Sequence, residues 1–89
     1  MQTTSIEAYR WIIESGQVGR QQAQILQFFV NNYNRAYTNS EVSRYTGIKV
    51  STVCPRMKEL RELGHLVCGG VRVCKVSGFS AKCWVLADV

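Results

Sequence analysis

Apolar positions recur every three or four residues through most of the chain and then alternate near its end. Ile6, Tyr9 and Ile13 make a first stripe, widened by Trp11 and Ile12, which predicts a helix over about residues 5–15. Thr4 supplies its cap, Glu7 stands three residues on in the capping-box position, and Gly16 is the stop. Ala23, Ile25, Leu26, Phe28, Phe29 and Val30 predict a second helix over about residues 20–31, the most buried candidate. A turn-rich link, Asn31-Asn32-Tyr33-Asn34, follows it.

The stretch from Thr38 to Val67 carries the most information. Thr38-Asn39-Ser40-Glu41 has capping-box spacing, Val42 and Tyr45 share a face, and Thr46-Gly47 ends the helix where a left-handed residue is easiest. Val53, Met57, Leu60 and Leu63 then spread over about a third of a helical circumference, and Gly64 closes that helix. Helix, tight turn and amphipathic helix are the grammar of a helix-turn-helix, whose second helix lies in the DNA major groove. The opposite arc of that helix holds Ser51, Pro55, Lys58 and Glu62, with Thr52, Arg56 and Glu59 on one flank. Pro55 lacks an N–H and is tolerated in a first turn, which sets the helix start near Ser51 or Thr52, whose hydroxyls can cap it or bind phosphate. Arg56 has the reach for guanine O6 and N7 or for a phosphate. The plainer reading is a solvated polar face, as on most amphipathic helices.

The tail changes period. His65 to Cys68, Val71 to Val76 and Ala81 to Leu86 are rich in Val and alternate, with Gly69-Gly70 and Ser77-Gly78-Phe79-Ser80 between them. A four-residue loop at residues 77–80 pairs Val76 with Ala81, Lys75 with Lys82, Cys74 with Cys83, Val73 with Trp84 and Arg72 with Val85. One face then presents Val73, Trp84 and Leu86 to the core, with Lys75 and Lys82 nearer the tip. Like charges placed opposite each other repel, so the two lysines are expected beside an anion, DNA phosphate first. The alternative is that both ammonium groups splay into water.

Ser51-Thr52-Val53-Cys54-Pro55-Arg56-Met57-Lys58-Glu59-Leu60, with Leu63-Gly64-His65-Leu66-Val67 after it, resembles the winged helix-turn-helix superfamily. Its members show there a small polar pair, a short basic segment, leucines at helical spacing, then Gly and a strand. The likeness covers about residues 20–86; the helix over 5–15 lies outside it. The tail Cys74-Lys75-Val76-Ser77-Gly78, with Ala81-Lys82-Cys83-Trp84, resembles small phage- or prophage-encoded members. This implies a mainly α fold with a small antiparallel β-sheet, a winged helix-turn-helix carrying an extra N-terminal helix.

Composition narrows the partner. At 89 residues and 46% apolar, the chain suits one folded domain and not a disordered one. No apolar run approaches the ~20 residues a membrane span needs. The first ten residues lack a basic segment leading into an apolar core, so a cytoplasmic protein without a secretory signal is expected. The net charge of +5 is unevenly placed. Arg10, Arg20 and Arg35 balance Glu7, Glu14 and Glu41, whereas Arg44, Lys49, Arg56, Lys58, Arg61, Arg72, Lys75 and Lys82 face only Glu59, Glu62 and Asp88. The excess lies downstream of Ser43 and favours a polyanion.

Other chemistry has less support. Cys54, Cys68, Cys74 and Cys83 contain no CxxC pair, and Cys54 belongs to a helix away from the hairpin, which argues against a zinc site. The inferred register makes Cys74 and Cys83 a candidate redox pair, although reduced thiols acting as small hydrophobes are expected in a cytoplasm. The one histidine, His65, has no evident partner for acid–base or nucleophilic work, Asp88 is the only aspartate, and the glycines punctuate helix ends and turns without forming a phosphate loop. No enzyme, cofactor or small-molecule ligand is expected.

The expectation is therefore a double-stranded DNA-binding protein, a small transcriptional regulator of phage or prophage type. Ser51, Thr52, Pro55 and Arg56 would meet base edges or phosphates. Lys49, Lys58, Arg72, Lys75 and Lys82 would meet phosphates, with Thr38 and Arg44 as further candidates. A lone domain buries little DNA surface, so a homodimer or another partner is expected; the helix around Tyr9, Trp11 and Ile12 either forms the dimer surface or simply completes the core. The rival is a winged-helix module that docks a protein of a replication or transcription complex.

Overall fold

In the computed structural model, which describes residues 2–33 and 35–87, helical periodicity becomes four helices and alternation becomes a hairpin. The helices are α1 (Gln2–Glu14), α2 (Arg20–Asn31), α3 (Asn39–Thr46) and α4 (Val50–Glu62); β1 (Leu66–Val73) and β2 (Ser80–Leu86) pair antiparallel. The fold is mainly α with a small antiparallel sheet, in the element order of a winged helix-turn-helix with an extra N-terminal helix. Asn34 and Asp88, named in the link and at the terminus, lie outside the described residues.

The helix-turn-helix forms where its punctuation places it. Thr38 caps α3 from extended backbone: its hydroxyl accepts the Glu41 N–H at 3.3 Å, and the Glu41 carboxylate accepts the Thr38 N–H at 3.0 Å. Gly47, at φ 78°, ends the helix in the left-handed region, where a side chain costs roughly 1–2 kcal/mol. The Ser43 hydroxyl donates to the Ile48 carbonyl and fixes the turn that launches α4. Val42, Val53, Met57 and Leu60 point inward to meet Ile25, Leu26, Phe29 and Val30 of α2, and Leu66 and Leu86 close the same core.

Four boundary expectations change. Helix α1 starts at Gln2, so Thr4 falls in its first turn and is not its cap. Helix α4 starts at Val50, one residue earlier than Ser51, and no side chain caps it. Pro55 therefore sits in the second turn, inside the helix, and leaves the Ser51 carbonyl without its usual donor. Leu63 ends up 56% exposed at the C-cap and not in the core, although its N–H still bonds the Glu59 carbonyl at 3.0 Å as in a helix.

The hairpin departs most. Gly69-Gly70 does not separate two strands; it makes a bulge inside β1, between Cys68 opposite Trp84 and Gly70 opposite Cys83. Gly69 lets the chains approach closely there, since a Cβ would lie a tight 3.0 Å from the Ala36 Cβ. The remaining pairs are Val71 with Lys82, Arg72 with Ala81 and Val73 with Ser80, so the loop spans Cys74 to Phe79 and is closed by Cys74 N–H to Phe79 O at 2.8 Å. Lys75 therefore does not face Lys82, and Val73 points to solvent, 61% exposed. Tyr37 adds a one-residue third strand by exchanging backbone hydrogen bonds with Trp84 at 2.9 and 2.8 Å.

Helix α1 completes the core. Tyr9 is fully buried, and its hydroxyl donates to the Ala87 carbonyl at 2.7 Å and lies 3.2 Å from that of His65 at the base of the hairpin. Tyr9 is thus not available as a dimer surface, whereas Trp11 on the same helix is 60% exposed. Tyr9→Phe keeps the ring and removes the hydroxyl from the Ala87 carbonyl, while the His65 carbonyl keeps the Ala87 N–H at 3.0 Å, so urea unfolding should report a loss of about 1–2 kcal/mol; an unchanged midpoint would mean that the hydroxyl does not hold the hairpin to α1.

Candidate functional site

Glu41 joins the helix-turn-helix to the wing. It is 1% exposed, and both carboxylate oxygens are fully used. Oε1 accepts from Arg72 at 2.6 Å and from the Thr38 N–H, while Oε2 accepts from Arg72 at 2.8 Å and from the Lys75 N–H at 2.9 Å. The Arg72 guanidinium also donates to the Ala36 carbonyl at 2.7 Å. Arg72 in turn holds the Glu41 carboxyl down at about 2, against the burial that raises it, with the Lys75 and Thr38 N–H groups helping. Thr38, expected at a phosphate, is buried at 1% exposure, and its hydroxyl meets the Cys74 thiol at 3.0 Å. A cap that is itself buried cannot reach a ligand.

A second polar bridge braces α4. Arg56 pairs with Glu59 at 2.7 Å and lies 3.5 Å from the Gln21 side chain, and Gln22 donates to Glu59 at 2.6 Å after reaching back to the Gly19 N–H. Gln22 and then Arg56 hold the Glu59 carboxyl below its usual range. Arg56 and Arg72, both expected at DNA, thus already have carboxylate partners within the chain.

The other expected contacts stay at the surface. Arg44, Lys49, Ser51, Pro55, Lys58, Lys75 and Lys82 are exposed and Thr52 is half-buried. Ser40, Ser43 and Arg44 of α3, Val50 of α4 and Val76 of the wing loop line one cleft of about 310 Å³. This cleft brings the helix-turn-helix and the wing loop together, with Lys49 and Ser51 flanking Val50 in the chain and Lys75 beside Val76. No side chain caps the first turn of α4, where the Thr52 and Val53 N–H groups both bond the Lys49 carbonyl at 2.9 Å. Ser40, Ser43 and the anchoring Glu41 were missed from sequence. The serines carry no local signal, and the partner of Glu41 lies thirty-one residues away.

Cys74 and Cys83 are not cross-strand neighbours. Cys83 opposes Gly70, four residues before Cys74, a separation of about 13 Å along a strand, where a disulfide needs Cα atoms within about 7 Å. Both are buried free thiols. Burial pushes the Cys74 thiol up, but the Thr38 hydroxyl and donors from Ser77 and Val76 outweigh it and bring it to about 7. Among the described residues no three His, Cys, Asp or Glu side chains cluster as metal ligands, and no helix is long and apolar enough to cross a membrane. His65 is half-buried, which lowers its pKa, and stands edge-on to Tyr9 with ring centroids 5.6 Å apart.

No known protein-family model matches the chain, and no curated protein matches it in sequence. Among solved structures it is similar to a possible transcriptional regulator from Methanosarcina mazei Go1, at a TM-score of 0.68 and 17% identity. The match covers 93% of this chain and 66% of that one, so this chain spans just under two thirds of its neighbour. At that identity the likeness establishes a shared fold.

The Glu41 cluster gives a signed pH dependence. A carboxyl held at about 2 when folded and near 4.5 when unfolded adds stability above pH 4.5 that is lost as pH falls towards 2, at most about 3 kcal/mol. Urea midpoints measured from pH 7 to 2.5 should fall through this window. Glu41→Gln should be destabilised at pH 7 and show a flatter acid limb; a parallel limb would mean that another carboxylate is responsible.

Proposed function

We propose that this chain is a small double-stranded DNA-binding protein, with α4 in the major groove and the wing on the phosphate backbone. The observation that carries this reading is the division among its cations. Arg56 and Arg72 are held by Glu59 and Glu41, while Arg44, Lys49, Lys58, Lys75 and Lys82 stand exposed with no carboxylate partner among the described residues. From Leu63 to Ala87 the chain contains no Asp or Glu, so nothing on the hairpin opposes a polyanion.

On this reading Ser51, Thr52 and Pro55 meet base edges or phosphates near the first turn of α4. Lys49, Lys58 and Arg44 neutralise phosphates around it, and Lys75 and Lys82 do so from the wing. Arg56 and Arg72 serve as braces that orient α4 and the wing. The name of the Methanosarcina neighbour supports transcriptional regulation, the resemblance of the tail is a hint of phage or prophage origin, and a cytoplasmic site fits a DNA-binding regulator. A homodimer would use the exposed Trp11 with Ile12. The rival, a protein-docking module, is favoured by the exposed Val67, Val71 and Val73 of β1.

Fluorescence anisotropy of a mixed-sequence duplex, titrated across salt, separates the two. Phosphate binding gives a log–log slope near −0.9 per neutralised phosphate. Lys49→Ala and Lys58→Ala should each make the slope shallower by about 0.9. Arg72→Ala should lower thermal stability before it alters the slope of the folded protein. No duplex binding at low salt would reject the DNA reading in favour of protein docking.

A further inference from the structure

Phe79, at the end of the wing loop, is 77% exposed, the most exposed of the large apolar side chains among the described residues. Its backbone is not loose. The Phe79 carbonyl accepts the Cys74 N–H at 2.8 Å, its own N–H donates to the Ser77 hydroxyl at 3.3 Å, and Gly78 N–H returns to the Cys74 carbonyl at 2.8 Å. The opposite end of the loop is anchored in the interior, by Cys74 against Thr38 and by Lys75 N–H on Glu41. The loop thus holds an aromatic ring in water on a fixed backbone, with exposed Lys75 before it and exposed Lys82 after it.

An exposed Phe on a rigid support is unfavourable in the free protein and favourable when an apolar partner covers it. The charge beside it indicates which partner. A hairpin with cations and no carboxylate is attracted to phosphates, and an aromatic ring between them is then brought to the sugars and base steps of a duplex. Apolar wedges that enter the minor groove and partly unstack a step use this combination of side chains. Resting on the DNA-binding reading above, we propose that Phe79 is a DNA-contacting residue that inserts its ring at a base step in the minor groove next to the α4 site.

The test compares wild type with Phe79→Ala, Phe79→Leu and Lys75→Ala on one duplex, by anisotropy across salt and by fluorescence of 2-aminopurine placed at successive positions outside the α4 footprint. Because Phe79 lies in solvent, Phe79→Ala should leave the melting temperature unchanged. It should weaken binding about fivefold or more at every salt concentration without altering the slope, while Lys75→Ala makes the slope shallower. Phe79→Leu should retain most of the affinity. One 2-aminopurine position should brighten with wild type and stay dark with Phe79→Ala.

If wild type binds salt-dependently but Phe79→Ala binds equally well, or no probe position brightens, the wedge is wrong and the DNA reading stands. If wild type binds no duplex at low salt, both fall. If Phe79→Ala leaves DNA affinity intact and abolishes a concentration-dependent dimer in sedimentation, the ring belongs to a contact between copies and the wedge is overturned.

Discussion

The buried carboxylate of Glu41 is the constraint on which the rest of the architecture depends. A charge at 1% exposure is tolerable only if every lone pair is used, and here the donors come from three places: the cap of α3, the guanidinium of Arg72 on β1 and the Lys75 N–H in the wing loop. Because these donors are far apart in sequence, satisfying one carboxylate fixes the wing relative to the helix-turn-helix. An apolar residue at this position could fill the space without specifying the direction of the loop. The same bonds explain the short register of the hairpin: with Lys75 N–H turned to Glu41 and Cys74 N–H to Phe79, residues 74–79 are taken from the ladder and become the loop.

A second tie acts at the other end of the sheet. Two strands and a one-residue bridge make a marginal sheet, and its base is closed by the Ala87 N–H on the His65 carbonyl and backed by the Tyr9 hydroxyl beneath both residues. Helix α1 is therefore part of the fold and not an appendage to the winged core. Its ring fills the core while its neighbour Trp11 faces solvent, so one helix contributes to stability through one face and leaves the other free.

What could be read from the sequence follows the range of the interaction. The α3 capping box, the Gly47 stop and the bounds of α2 were legible because their determinants lie within a few residues of one another. The apolar stripes of α2 and α4 identified most of the core for the same reason. The hairpin register was not legible, because it depends on Glu41 and on the close approach of Ala36 to Gly69, both remote in sequence. Periodicity placed Tyr9 on an apolar stripe but could not reveal a partner seventy-eight residues away. At the candidate site, type and spacing identified the cations without telling those bound to carboxylates from those left exposed.

That distinction has a physical logic. Arginine, with five donors in a planar fork, suits bracing, where several acceptors must be held at once. Arg72 spans Glu41 and the Ala36 carbonyl, and Arg56 spans Glu59 and Gln21. Lysine, a hydrated point charge on a flexible stem, makes a poor brace but readily follows a phosphate. The exposed cations of α4 and the wing are lysines: Lys49, Lys58, Lys75 and Lys82. The first turns of α4 carry short polar groups instead: the Ser51 and Thr52 hydroxyls, and the Ser51 carbonyl that Pro55 leaves without a helical donor. A proline on the exposed arc of α4 costs the helix one internal hydrogen bond without opening its core face, where Val53, Met57 and Leu60 stay buried.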